Sequence, residues 1–204
     1  MSMPTETHSL DGRRMRSERT RQRIVEAYLS LLGETGQMPT ANQIAERAGC
    51  SVRSIFERFT DLHALRVVVT DSAFAEANAQ AVLRDVDADR PTRLQSQVRT
   101  RAQTCERWLP MWRALNANQG ESEELKTRIR QARDMIVRRL ELMYRPELAA
   151  LAEDERRKVL LALEAITDFE SWARMREHFG LSVEDAINLW IRTIDGLLPQ
   201  APVS

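Results

Sequence analysis

Residues 40–59, TANQIAERAGCSVRSIFERF, constrain this chain more than any other stretch, because they specify two short helices and the angle between them. Thr40 follows Pro39 and is a good N-cap. Gln43, three residues on, completes a T-x-x-Q capping box, so a helix begins at about Ala41. Ile44, Ala45 and Ala48 share a face of that helix, and Ala45 is small enough to let a second helix approach closely. Gly49 ends it, since glycine takes positive φ without steric cost and turns the chain between crossed helices. Ser51 caps the next helix. Its spacing sends Val52, Ile55 and Phe59 towards a core and leaves Arg53, Ser54, Glu57 and Arg58 mostly outward. This is the layout of a helix-turn-helix.

The arrangement Ile44, Ala45, Ala48, Gly49, Ser51, Ile55, Phe56, Phe59, with Leu65 beyond it, resembles the DNA-binding motif of the TetR family of transcriptional regulators. The resemblance covers about the first third of the chain. It implies a reader whose exposed face comprises Thr40, Ser51, Val52, Arg53, Ser54, Phe56, Glu57 and Arg58, followed by a helical domain that dimerises and holds a small-molecule pocket. Three departures bear on function. Cys50 replaces the usual valine and is expected in the core. Phe56 stands where the family more often has a tyrosine, so that hydroxyl contact to phosphate does not carry over. Leu62 and His63 replace the usual Lys-Glu pair at the next helix, and Arg58 is expected to meet phosphate in its place.

The formal net charge of the 204 residues is zero, but it is unevenly spread. Arginines 13, 14, 16, 19, 21 and 23 face a single acid, Glu18. Residues 1–16 are read as a disordered basic arm, with Arg13, Arg14 and Arg16 reaching phosphates or a minor groove. Residues 17–60 form the helix-turn-helix domain, whose first helix runs from about Ser17 to Glu34 with Ile24, Ala27, Tyr28, Leu31 and Leu32 as its stripe. Gly36 ends that helix. Residues 61–204 form a helical effector-binding and dimerisation domain.

Within that second domain, Thr60 or Asp61 caps a long helix running to about Val86. Pro91 and Thr92 open another, which Pro110 is expected to break. Glu121 starts a helix closed by Pro146, and a further one runs from about Asp154 to His178. Ser182 caps the last, whose apolar positions 183–198 are too broad a stripe for one neighbour. Ile166, Val183, Ile187, Trp190, Ile191 and Ile194 are therefore expected at a homodimer interface. No stretch alternates like a strand, so the fold class is all-α with about nine helices.

Trp108, Met111 and Trp112 around Pro110, with Cys105, Phe169 and Trp172, are candidates for the lining of a cavity, which the family resemblance makes the effector site. An apolar or amphipathic effector is expected. No phosphate loop, G-x-S-x-G, HExxH or C-x-x-C is present, so an enzyme is not expected, nor a metal or other cofactor. None of the three histidines follows a glutamate by three residues, as di-iron bundles require. Two cysteines make no disulfide framework, and no apolar run approaches the roughly eighteen residues that span a bilayer, which places the protein in the cytoplasm. The expected partners are double-stranded DNA at an inverted-repeat operator, a second copy of the chain and a small molecule. The competing readings are a helical carrier without DNA activity and an activator rather than a repressor.

Overall fold

The computed structural model describes residues 6–120 and 122–199, with the side chains of residues 6–11 and 13 left out. Ten α-helices and one π-helical turn account for the regular structure of the described residues, and there is no strand among them. In order they are α1 (Glu6–Thr35), α2 (Ala41–Ala48), α3 (Val52–Phe56), α4 (Leu62–Gln80), α5 (Arg90–Asn118), α6 (Glu123–Met143), α7 (Arg145–Leu148), α8 (Glu153–Ile166), α9 (Phe169–Ala173), the π turn Arg174–His178, and α10 (Val183–Leu197).

Two apolar clusters organise these helices. The first gathers Ile24, Tyr28 and Leu32 of α1, Ile44 and Ala45 of α2, Ile55 of α3 and Phe59 just beyond it, and then Leu65, Val69 and Ala73 of α4 with Met111 and Ala114 of α5. A three-helix unit of this size has too little interior to stand alone, and here α4 and α5 complete it. The second cluster holds the rest of α5 with α6, α8, α9 and α10, centred on Leu115, Leu125, Leu140, Leu163, Trp172 and Trp190. Trp108 packs against both clusters.

Several boundaries differ from those read in the sequence. Helix α1 begins at Glu6 rather than near Ser17, so residues 6–16 of the basic segment are helical and not disordered. Nothing between Gly12 and Gly33 breaks the helical hydrogen bonding, and the Thr20 hydroxyl donates back to the Arg16 carbonyl (3.0 Å) at the end of the expected arm. Helix α4 stops at Gln80 instead of Val86. The Arg139 guanidinium caps its end by donating to Asn78 Oδ1 (2.7 Å) and to the Ala81 carbonyl, and Asp85 then takes a left-handed φ of 58° in the loop.

Helix α5 passes through Pro110 without ending. An interior proline costs about 3 kcal/mol. Cys105 on one side of it and Met111, Trp112, Ala114 and Leu115 on the other are all buried, and their burial exceeds that cost. Helix α6 begins at Glu123, capped by Ser122, whose Oγ accepts from the Leu125 amide (3.3 Å); Glu121, the expected start, lies outside the described residues. It ends at Met143, and Pro146 stands in the first turn of α7. The helix expected over 154–178 is interrupted at Thr167 and Asp168. Asp168 Oδ1 accepts from the Ser171 amide (2.6 Å), so an N-cap sits inside the run of helical spacing.

Candidate nucleic-acid interface and effector cavity

The reader is assembled by local hydrogen bonds. The Thr40 amide donates to Gln43 Oε1 (2.8 Å) while the Gln43 amide donates to Thr40 Oγ1 (3.4 Å), closing the capping box at the start of α2. Gly49 ends α2 at φ 62°, ψ 44°, its amide donating to the Glu46 carbonyl and that of Cys50 to the Ala45 carbonyl. A β-carbon is strained in that conformation. Ser51 Oγ then accepts from the Ser54 amide (3.1 Å) and starts α3. Helix α2 is clamped to α1 by Arg47, which grips Glu34 with two bonds (2.6 and 2.8 Å) and Ser30 with a third. Those hydrogen bonds, from Arg47 first and Ser30 second, hold the Glu34 carboxyl down at about 2.

With Ile55 fully buried, the opposite side of α3 is free of any packing duty. Arg53 stands well out, its side chain 88% exposed, with Nε against Glu57 Oε1 at 3.0 Å. Phe56 is 46% exposed, an apolar ring on an otherwise polar face. Thr40, Ser51 and Glu57 are exposed as well, while Val52 and Ser54 are half-buried. Arg58 departs from expectation. Its guanidinium donates to the Ser54 carbonyl (2.8 Å) and the Ser17 carbonyl (3.4 Å), so it ties the end of α3 to α1 instead of standing outward. His63 is likewise turned away, its Nε2 2.9 Å from Glu124 Oε2 on α6. Arg14 and Arg16 are exposed on α1; the side chain of Arg13 lies outside the described residues. Cys50 is half-buried against the first cluster.

A cavity of about 290 Å³ lies between α4, α5, α6 and α9. Trp108, Met111, Trp112 and Phe169 line it, with Trp112 and Phe169 stacked at 4.8 Å and 19°. Two of the expected lining residues do not. Cys105 is wholly enclosed in the core, and burial pushes its thiol up to about 11. Trp172 packs on Trp190 with ring centres 4.8 Å apart and donates from Nε1 to Glu106 Oε1 (2.8 Å). The sequence reading missed Phe74 of α4 and Gln97 and Arg101 of α5, which complete the wall. Their signal was there in part: Arg93, Gln97 and Arg101 run at intervals of four beside the apolar stripe of α5, where polar side chains need a reason to be buried.

The residues expected at a dimer interface are largely spoken for. Ile187, Trp190 and Ile194 are at most 3% exposed and belong to the chain's own core, packed with α5 and α8. Ile166 and Ile191 are half-buried against the same cluster, and of the six only Val183 is exposed. The breadth of the α10 stripe thus reflects two neighbours within one chain. What α8 and α10 leave outward is a different set, Leu161, Leu189 and Leu197, at 53, 45 and 40% exposure.

Among the described residues no group of three His, Cys, Asp or Glu side chains is placed to hold a metal ion. No described helix is long and apolar enough to cross a membrane. The sequence matches no family model, and no curated protein matches it significantly. The fold, by contrast, is shared with solved structures. A transcriptional regulator from Rhodococcus sp. Rha1 superposes with a TM-score of 0.69 at 16% identity, over 89% of this chain and 99% of that one. A putative transcriptional regulator from Pseudomonas aeruginosa PAO1 superposes with a TM-score of 0.61 at 19% identity, over 87% of this chain and 89% of that one.

Proposed function

We propose that this chain is a sequence-specific DNA-binding transcriptional regulator of the TetR type, a repressor released from its operator by a small molecule. The observation that carries the reading is helix α3. Five residues long, it is capped at Ser51, anchored through buried Ile55 and half-buried Val52, and presents Arg53, Phe56 and Glu57 to solvent. A helix with so little to do for the fold is suited to lie in a major groove. The solved structures that share the fold bear the names of transcriptional regulators, which supports the same reading.

Base choice rests on the N-terminal turn of α3, with Arg53 the leading contact, because a guanidinium pairs bidentately with guanine O6 and N7. The basic side of α1, through Arg14 and Arg16, adds affinity that depends on salt and is indifferent to sequence. A homodimer would form through the outward face of α8 and α10, where Leu161, Leu189 and Leu197 are left uncovered, and its two-fold axis makes the operator an inverted repeat.

Selection of random duplexes on the purified protein tests the reading. Enrichment of an inverted repeat, with half-sites separated by about one helical turn or somewhat more, is the expected result. A pool that stays random would contradict it and leave a helical small-molecule-binding protein without DNA activity.

A further inference from the structure

Helix α5 buries two arginines on one side, eight residues apart, and the fold treats them differently. Arg93 is met by Glu147, itself fully buried, through two short bonds (2.9 and 2.6 Å), and a third runs to the Met143 carbonyl (2.9 Å). Arg101, only 8% exposed, has no carboxylate within 4.0 Å among the described residues. Its Nε donates to the Thr167 carbonyl (2.8 Å), its guanidinium carbon sits 4.7 Å over the Phe169 ring, and Nη1 and Nη2 donate to nothing described. Those two nitrogens are not sealed off by protein atoms either. Arg101 lines the cavity, as does Gln97 one turn earlier, 7% exposed and with no hydrogen bond from its amide among the described residues.

A buried guanidinium without a counter-charge is costly, and removing one partner of a buried pair strongly destabilises a fold. The surrounding acids are already engaged. Asp71 is held by Arg128 (2.6 and 2.8 Å), Glu106 accepts from Trp172 and Arg176, and Asp168 caps α9. Arg139, the remaining cation of the wall, is occupied by Asn78 and the Ala81 carbonyl. Apart from these groups and the uncharged Thr100, Thr104 and Gln131, the wall is apolar and aromatic, with Phe74, Trp108, Met111, Trp112 and Ile136 among its largest side chains.

We propose that the cavity takes a small organic carboxylate, its acid paired with the Nη1 and Nη2 edge of Arg101 and supported by the Gln97 amide, its apolar or aromatic body among the tryptophans. The missing counter-ion of Arg101 is the ligand's own. The inference rests on the regulator reading, in which this cavity is the effector site. A bidentate arginine–carboxylate pair in a water-poor site is among the stronger polar contacts, and the neutral amide of the same body forfeits it.

The test is calorimetric titration of the full chain with 2-naphthoate and octanoate against 2-naphthamide and octanamide. At least one acid should bind about tenfold or more tightly than its amide, and Arg101→Met should erase that preference. Gln97→Leu should weaken acid binding by a smaller factor. The wild-type comparison of acid with amide decides even if Arg101→Met does not fold. Equal affinity for acid and amide, no binding of either acid up to about 1 mM, or an unchanged preference in folded Arg101→Met would overturn the proposal. A chain that selects an operator but fails here loses only this inference. One that binds the acids but selects no DNA keeps it and loses the regulator reading.

Discussion

Arg53 and Arg58 stand five residues apart and have different work to do. Among the described residues Arg53 is held only by Glu57, an exposed pair of the kind worth little, so its guanidinium is free to exchange that carboxylate for a base edge. Arg53→Ala should cost about 1–3 kcal/mol on the preferred operator and relax choice at one base pair, as measured against duplexes mutated at each position. An unchanged ranking of those duplexes would leave Arg53 without a base to read. Arg58 is a strut between α3 and α1, so its loss should act through the stability of the reader as well as through phosphate. Glu34 offers a cleaner view of that stability. Arg47 and Ser30 depress its carboxyl from an ordinary 4.5 to about 2, so its contribution is fully present above about 4.5 and is lost as pH falls towards 2. The difference in melting temperature between wild type and Glu34→Gln should therefore be present at neutral pH and close over that interval. A gap that persisted at the acid end would show that the carboxylate's charge is not what the clamp uses.

At the scale of elements, local chemistry was legible and packing was not. Thr40, Ser51, Asp61 and Ser182 each accept a hydrogen bond from the amide three residues on, because a cap needs only its own turn. The turn at Gly49 was readable for the same reason. Pro110 misled because a proline's cost is local while the burial that overrides it comes from other helices. The α10 stripe misled differently: periodicity reports how much of a helix is covered, not whether the cover is the same chain. Asp168 hid within helical spacing, since an acid in a helix and an acid at a cap look alike until the neighbouring amide is placed. Among the elements, α5 carries the sharpest stability prediction. Glu147→Ala leaves Arg93 buried without its partner and should cost about 3–5 kcal/mol in urea unfolding. Replacing Arg93 by Met and Glu147 by Leu together should recover most of it, and a single mutant as stable as wild type would mean the pair is solvated.

For the whole molecule, the two clusters share a seam at α4 and α5, and the cavity lies along it. Met111 belongs to the reader's cluster and lines the cavity, and Trp108 lines it while packing against both clusters. Asp71–Arg128 beside the cavity and His63–Glu124 nearer the reader both join α4 to α6. A ligand that moves α4 relative to α6 would therefore be felt where α4 meets the reader, which is the physical route proposed for release. Leu189→Glu with Leu197→Glu, on the outward face of α10, should give a folded monomer by sedimentation and spare the core that Trp190 and Ile194 fill. A double mutant that remains dimeric would place the interface elsewhere. Whether two copies of α3 read an inverted repeat is decided by the affinity of the full chain for a selected duplex before and after one half-site is scrambled at constant salt. A loss of about 10³-fold or more, down to the level of unrelated DNA, is expected. Equal affinity for both duplexes would show that the basic surface binds phosphate alone, and would contradict a paired readout by α3.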